Sequence, residues 1–196
     1  TSSKQTADYS VISVWAYDKD GKWTWVDGVC ERQQMDKTIN DLFRLAQEYQ
    51  PKGVGVEISG QQGGFIPWIM REMDYRGIYF NLTHEKGKPG IRPMTDKLSR
   101  FNLVVPQFKS GKVAFPLEMK NTKIMGIFME QLSLATRDGL MGKDDCLDTI
   151  SMLTHMNPWK PNPDEPTQET QVSTADPIWG TEPEADEESG IDAYIV

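Results

Sequence analysis

The order of apolar patterns in the first half of the chain constrains the fold more than any other feature of the sequence. Segments 9–17 and 23–30 are rich in Val, Ile and aromatic residues, and the turn sequence 18–21 between them predicts an antiparallel hairpin. Apolar residues at helical spacing over 36–49 predict an amphipathic helix, and the apolar run 54–58 predicts a buried strand. The domain therefore opens on β-structure and continues with a helix and a strand.

The remaining chain up to about residue 156 continues this alternation. The predicted elements are a helix from Gly63 to about Arg76, a strand over 77–80, a mobile loop between His84 and Pro93, a helix over 96–104, a short strand end at 112–116, a helix over 123–137 and a last helix from Asp144. Alternating strands and helices are typical of a layered sheet. We therefore expect an α/β fold.

Acidic residues are concentrated in the last part of the chain. Residues 157–196 hold ten Asp and Glu side chains, one lysine and six of the twelve prolines, so this segment carries −9 and residues 1–156 about +1, against −8 for the whole chain. Such a composition is typical of a flexible or partner-dependent extension. We therefore place a boundary near Asn157, between a globular domain and an acidic Pro-rich tail. The tail is either a solvated leash or a docking segment, and its apolar end, 192–196, is a candidate anchor peptide.

Membrane proteins and disulfide-rich proteins are classes that the sequence argues against. It holds no uninterrupted apolar run of about 18 residues that would cross a bilayer. Cys30 and Cys146 are 116 positions apart and form no CxxC motif, so neither a disulfide framework nor a cysteine-rich zinc site is expected. No secretory signal pattern opens the sequence, and we expect a reduced, cytosolic protein.

Glu57 is the first candidate for chemistry. In a strand over 54–58 its side chain shares one face with Gly55 and Ser59, so the carboxylate points where its neighbours are small. A carboxylate held on a sheet beside a cavity is costly unless it is paired or coordinated. The alternative is an edge-strand glutamate in water, or one paired with Lys or Arg.

The second candidate is a group of aspartates at the start of the last predicted helix. Asp144 and Asp148, or Asp145 and Asp148, would lie on one helix face, where like charges call for a cation. Capping and the helix dipole explain Asp144 and Asp145 without any metal, but they do not explain Asp148. Carboxylates with no His or Cys nearby suit Mg²⁺ or Mn²⁺ better than zinc. Acids that converge from a strand and a helix fit two-metal phosphodiester hydrolysis.

Basic residues in the middle of the chain are candidates for contact with a nucleic-acid backbone, the alternative being scattered surface lysines. Lys143 adjoins the acids and would contact a phosphate or simply lie at the surface. Gln61 and Gln62 would reach DNA or cap the next helix. The candidate DNA-binding residues are Lys86, Lys88, Arg92, Lys97, Arg100, Lys109, Lys112, Lys143, Gln61 and Gln62.

Four motifs occur in a characteristic order along the first 156 residues. They are TADYSVISVW (6–15), VGVEISGQQGG (54–64), FKSGKVAFP (108–116) and KDDCLD (143–148). This series resembles the C-terminal nuclease domain of tailed-phage terminase large subunits, and the last motif is the most specific. The resemblance does not reach the acidic tail. No GxxxxGK[ST] phosphate loop is present, so only the nuclease part of such a protein is indicated.

The resemblance implies an RNase H-like fold, a mixed sheet flanked by helices. It also implies a Mg²⁺- or Mn²⁺-dependent endonuclease that cuts concatemeric double-stranded DNA during genome packaging, with little sequence preference. The implied partners are the terminase ATPase domain, the portal protein and the small terminase subunit, with no membrane. The implied location is the host cytoplasm, at the procapsid and not in the mature virion.

Carried over residue by residue, the resemblance makes Glu57 the second catalytic acid. The third lies within Asp144, Asp145 and Asp148, with Asp145 and Asp148 as the leading pair. In the family the first acid ends a strand, and this position falls at or just ahead of Thr1 in the present numbering. The alternative is that Asp8 serves as the first acid. The alternative functions are a non-catalytic docking module of the packaging motor and another RNase H-like nuclease of the resolvase or transposase type.

Overall fold

The computed structural model describes residues 9–58, 65–136, 139–158 and 192–196. The strands are β1 (Ser10–Tyr17), β2 (Trp23–Glu31), β3 (Gly53–Val54), β4 (His84–Glu85), β5 (Lys88–Pro89), β6 (Val113–Ala114), β7 (Ala135–Thr136), β8 (Gly139–Leu140) and β9 (Asp192–Ile195). The helices are α1 (Met35–Tyr49), α2 (Phe65–Arg76), α3 (Lys97–Lys109), α4 (Lys123–Leu134) and α5 (Asp145–Met152), with 3₁₀ turns at Leu117–Met119 and Leu153–His155. None of the helices in these ranges is both long and apolar enough to cross a bilayer.

The predicted hairpin is confirmed as β1 and β2, which pair antiparallel along their length. The Asp18 carboxylate closes the turn by accepting the backbone N–H groups of Asp20 and Lys22. Side chains of β1 alternate between the two faces of the sheet, as a strand requires. Val14 packs into one apolar core and Trp15 into the other, and both are fully buried.

The main sheet has five strands among the described residues, in the order β3-β9-β1-β2-β6. β9 lies antiparallel to β1 and parallel to β3, and β6 lies parallel to β2. The backbones of Ser13 and Val196 exchange two hydrogen bonds of 2.7 and 2.9 Å. The candidate anchor peptide therefore includes an interior strand, β9, paired on both sides. The boundary predicted near Asn157 stays a prediction, because residues 159–191 lie outside the described ranges.

Helices cover both faces of this mixed sheet, which confirms the α/β prediction. On one face α1 and α2 supply Phe43 and Ile69, which are buried against Ile195 of β9 and its neighbours. On the other face α4 and α5 contribute Phe128 and Ile150 to a core that also holds the β1 and β2 tryptophans.

Several predicted elements differ from the structure. The helix predicted over 123–137 ends at Leu134 and is followed by β7, and the other differences lie beside β3. The segment 84–93, predicted as a mobile loop, contains the β4–β5 hairpin, whose Lys86–Gly87 turn has positive φ at both residues (51° and 77°). The segment 77–80 forms no strand, because Val54 instead donates its N–H to the Asn81 carbonyl and accepts the Thr83 N–H. The strand predicted over 54–58 is also shorter, since β3 covers only Gly53–Val54.

Candidate active site

A cavity of about 600 Å³ opens at the edge of the sheet where β1 begins and β3 and β9 end. Its wall includes Glu57 from the segment after β3 and both Lys97 and Arg100 from α3. Asp145 and Asp148 of α5 line it as well. Residues far apart in the sequence therefore meet around one space.

Glu57 is held in place by backbone pairing on both sides of it. The N–H of Ile91 donates to the Val56 carbonyl and the N–H of Ile58 donates to the Ile91 carbonyl, each at 2.8 Å. The Glu57 side chain is 25% exposed. Burial, and then the negative charge of Asp148, raises the pKa of Glu57 above its ordinary value, against the opposing effect of Arg100.

The start of α5 fixes the aspartate group. The buried Gln131 side chain accepts the Cys146 N–H at 2.8 Å, which satisfies one of the free donors at the helix start. The Cys146 thiol donates to the Cys30 sulfur at 3.6 Å and lowers the pKa of the Cys30 thiol, so two free cysteines tie α5 to β2. One turn into the helix, Asp148 is only 14% exposed.

α3 brings two cations to these acids. Asp96 caps the helix by accepting the Ser99 N–H at 2.9 Å. Lys97 and Arg100 follow at a spacing of three residues and so share one face. The Arg100 guanidinium lies 2.9 Å from Asp148 Oδ1 and 3.8 Å from Glu57 Oε1.

Lys97 contacts the aspartates on their other side. Its Nζ lies 2.6 Å from Asp148 Oδ2 and 2.9 Å from Asp144 Oδ1. Burial opposes the charge on Lys97, but the hydrogen bonds to the two carboxylates outweigh it and raise the pKa of this ammonium. Asp144 and Asp148 are therefore both paired with the charged Lys97 ammonium.

The chemistry of these donors fits a divalent cation. No three Asp, Glu, His or Cys side chains within the described ranges are close enough to hold one metal ion together, and the two cationic side chains stand between the carboxylates. Carboxylate oxygens are nevertheless the ligands that Mg²⁺ and Mn²⁺ prefer, and here they already surround positive charge. The residues present therefore suit such an ion if Lys97 or Arg100 withdraws.

A similar chain path is found among solved structures. The nuclease domain of the human cytomegalovirus terminase, soaked with Mn and with an inhibitor bound, aligns with a TM-score of 0.55 and 13% identity over 77% of each chain. The fold is RNase H-like. No family model matches the sequence, and no curated protein matches it.

The predicted DNA-binding lysines lie in different parts of this RNase H-like fold. Lys86 and Lys88 are exposed on the β4–β5 hairpin. Ile91, two residues after β5, pairs with Glu57. Lys109 ends α3, about 18 Å along the helix axis from Lys97. Lys112 donates to the Asp20 carbonyl at the opposite end of β1. None of these four lysines is among the lining residues of the cavity, and Lys109 and Lys112 lie away from it.

The other predicted site residues take different positions. The Arg92 guanidinium donates to the Gly90 and Pro89 carbonyls and so braces the hairpin. Lys143 is exposed two residues before α5. Asp8, Gln61 and Gln62 lie outside the described ranges.

The sequence did not indicate that Arg100 and Lys97 pair with the acids. The signal was present, because Asp96 and Ser99 form a cap sequence that starts a helix just ahead of two basic residues at a spacing of three. The pattern did not show which part of the protein this helix face contacts. That contact follows from the packing of α3 on α5.

Proposed function

We propose that this chain is a divalent-metal-dependent endonuclease that cuts concatemeric double-stranded viral DNA during genome packaging, with little sequence preference. One observation carries the proposal. Glu57 and Asp148, which come from separate elements, meet at Arg100 in one cavity, and the surrounding fold resembles a terminase nuclease domain. The assignment to tailed phages rests on the four sequence motifs.

Glu57, Asp148, Asp144 and Asp145 would hold Mg²⁺ or Mn²⁺. When bound, a pair of such ions supplies an activated water for attack on phosphorus and neutralises the leaving oxygen. The protein side chains fix the carboxylates: Arg100 holds Asp148, and the Ile91 pairing holds Glu57. The cytomegalovirus domain was studied with Mn, which supports the choice of ions.

The β4–β5 hairpin is the surface that we propose for the DNA backbone. Lys86 and Lys88 are exposed on it, and Ile91, two residues past β5, pairs with the segment that carries Glu57. Contact with phosphates alone positions a duplex without reading its bases. This suits an enzyme that cuts many sequences.

The proposal also includes an assembly. We propose that the chain works with the terminase ATPase domain, the portal protein and the small terminase subunit. The place of action would be the host cytoplasm, at the procapsid, and the chain would be absent from the mature virion.

Plasmid nicking in Mg²⁺ or Mn²⁺ tests the catalytic acids. Glu57→Gln and Asp148→Asn keep the side-chain shapes but remove the charges, and we expect each to lower the cleavage rate by about 100-fold or more. Asp74→Asn, at an exposed position of α2, is the matched control and keeps the wild-type rate.

Two outcomes decide between enzyme and docking module. If neither ion supports cleavage by the wild type or by a version extended at its N-terminus, the endonuclease proposal is wrong. If only the extended version cuts, the first catalytic acid lies ahead of Thr1, and Asp8 does not take its place.

Duplex binding in calcium tests the hairpin surface. We expect Lys86→Glu with Lys88→Glu to weaken binding and to reduce the slope of log affinity against log salt by about 2, since two phosphate contacts are lost. Lys19→Glu, in the β1–β2 turn at the other end of the sheet, is the control. Equal affinities for both variants would contradict the proposed surface.

A further inference from the structure

The two oxygens of the Asp148 carboxylate face different cations. Oδ1 contacts Arg100 at 2.9 Å, and Oδ2 contacts Lys97 at 2.6 Å. We propose that Lys97 is an internal counter-ion that a divalent cation displaces, whereas Arg100 stays in place as the residue that positions the acids. This inference rests on the proposed function, because it concerns the same carboxylates.

Arg100 has the contacts of a fixed residue. Its side chain is 9% exposed, and its guanidinium also donates to the Thr95 carbonyl at 3.3 Å. It therefore touches Glu57, Asp148 and the backbone at once. Removing a group with that many buried charged contacts leaves carboxylates without a partner, which is costly. A cation that replaced it would leave a buried guanidinium without its carboxylate partners.

Lys97 has the contacts of a displaceable residue. Its side chain is 46% exposed, and it stands in the first turn of α3 on a flexible stem. The two oxygens that it holds, Asp148 Oδ2 and Asp144 Oδ1, are ligands of the kind that a hard dication prefers. A dication that binds both oxygens repels the ammonium from them.

Two states of the site follow from this competition. Without divalent cations, Lys97 neutralises Asp144 and Asp148 and keeps α3 against α5. With cations bound, the ammonium moves into the cavity, where it is free to meet a phosphate. The DNA contact predicted for Lys97 would then belong only to the second state.

Amine labelling of the chain over residues 1–196, followed by mass spectrometry, tests the displacement directly. We expect brief acetylation of Lys97 to rise by about ten-fold at saturating Mg²⁺, because two charge-assisted hydrogen bonds are lost. Lys109, on the same helix but away from the acids, is the internal control and keeps its labelling. Calorimetry on the same sample measures whether Mg²⁺ binds. Unchanged labelling of Lys97 with Mg²⁺ bound, or no binding at all, overturns the proposal.

A pair of variants separates displacement from a merely structural role. We expect Lys97→Met to lower the melting temperature in a chelator and to match the wild type at saturating Mg²⁺. Lys109→Met shows no such dependence on metal. A loss that persists in Mg²⁺ would make Lys97 structural and overturn the proposal. If Lys97 is released by Mg²⁺ but plasmid DNA stays intact, the nuclease function fails while the displacement stands.

Discussion

Glu57 is kept in surroundings that disfavour its charge. Burial and the neighbouring Asp148 both raise the pKa of this carboxyl group, and Arg100, at 3.8 Å, compensates only in part. A carboxyl group whose pKa is raised in the folded protein adds stability when the pH is below its pKa in the unfolded chain, near 4.5. That stability is lost as the pH rises through the pKa of the folded state. At neutral pH the folded chain therefore carries a cost that a divalent cation would relieve.

We expect Glu57→Gln to raise the melting temperature by about 1–2 °C at pH 7 in a chelator, which corresponds to about 0.5 kcal/mol. Near pH 4 the wild-type carboxyl group is itself protonated, so the difference should vanish. Thermal denaturation between pH 4 and 8 measures this, with Glu130→Gln on the exposed face of α4 as the control. A gain that is the same at both ends of the range would show that charge is not its cause.

The residues of the candidate site were only partly accessible from the sequence. The sequence indicated Glu57, because a carboxylate among small neighbours is unusual in a buried strand. It indicated Asp148, because this aspartate lies one turn inside a helix, next to apolar residues. The ion pairs that join them were not indicated, since the cap sequence ahead of Arg100 predicts a helix but not that this residue faces the acids. Its partners are 43 residues before it and 48 residues after it in the chain.

At the scale of elements, the residues just after the β4–β5 hairpin approach the site closely. Gly90, just after the hairpin, has φ of 90°, and its N–H donates to the Thr83 carbonyl. A Cβ at Gly90 would lie 2.3 Å from Ile58 Cδ1 and 3.3 Å from the Val56 carbonyl. The hairpin therefore packs directly against the segment that carries Glu57.

We expect Gly90→Ala to destabilise the fold by about 3 kcal/mol or more, from left-handed strain together with the clash. Gly87→Ala, in the hairpin turn, meets nothing within 4 Å and should cost only the strain, about 1–2 kcal/mol. Urea denaturation measures both. Equal costs for the two variants would mean that Gly90 is not packed as described.

The long elements were predicted well and the short ones poorly, for a physical reason. α1 shows more than three turns of apolar spacing, which local sequence displays clearly. β4 and β5 have two residues each, too few to show any alternation, and their sequence is rich in turn residues. Such strands form because they pair with each other and because the flanking residues Thr83 and Ile91 bond to the backbone of Val54 and Val56, which is information from the tertiary structure.

At the scale of the whole molecule, β9 lies between β3 and β1, which do not pair with each other among the described residues. It bonds to β1 on one side and to β3 on the other. Ile195 faces the core under α1 and α2, while Tyr194 and Val196 face the core under α3, α4 and α5. One short strand thus holds both cores and the two sides of the cavity together.

We expect Ile195→Ala to destabilise the protein by about 2–5 kcal/mol, because the side chain is 1% exposed and its loss leaves a cavity. Leu117→Ala, at a position that is 78% exposed, should change stability by about 0.5 kcal/mol or less. Chemical denaturation of both variants measures the difference. A negligible cost at Ile195 would contradict the position of β9 in the sheet.

The position of β9 also bears on the order in which the protein folds. Its pairings join Val54 to Ile195 and Val14 to Ile195, so they close some of the longest loops in the chain. Contacts this distant in sequence form slowly, because chain entropy is lost before they contribute. In refolding, the β1–β2 hairpin and the helices should therefore appear first, and the cavity that brings Glu57 to Asp148 should be among the last features to mature.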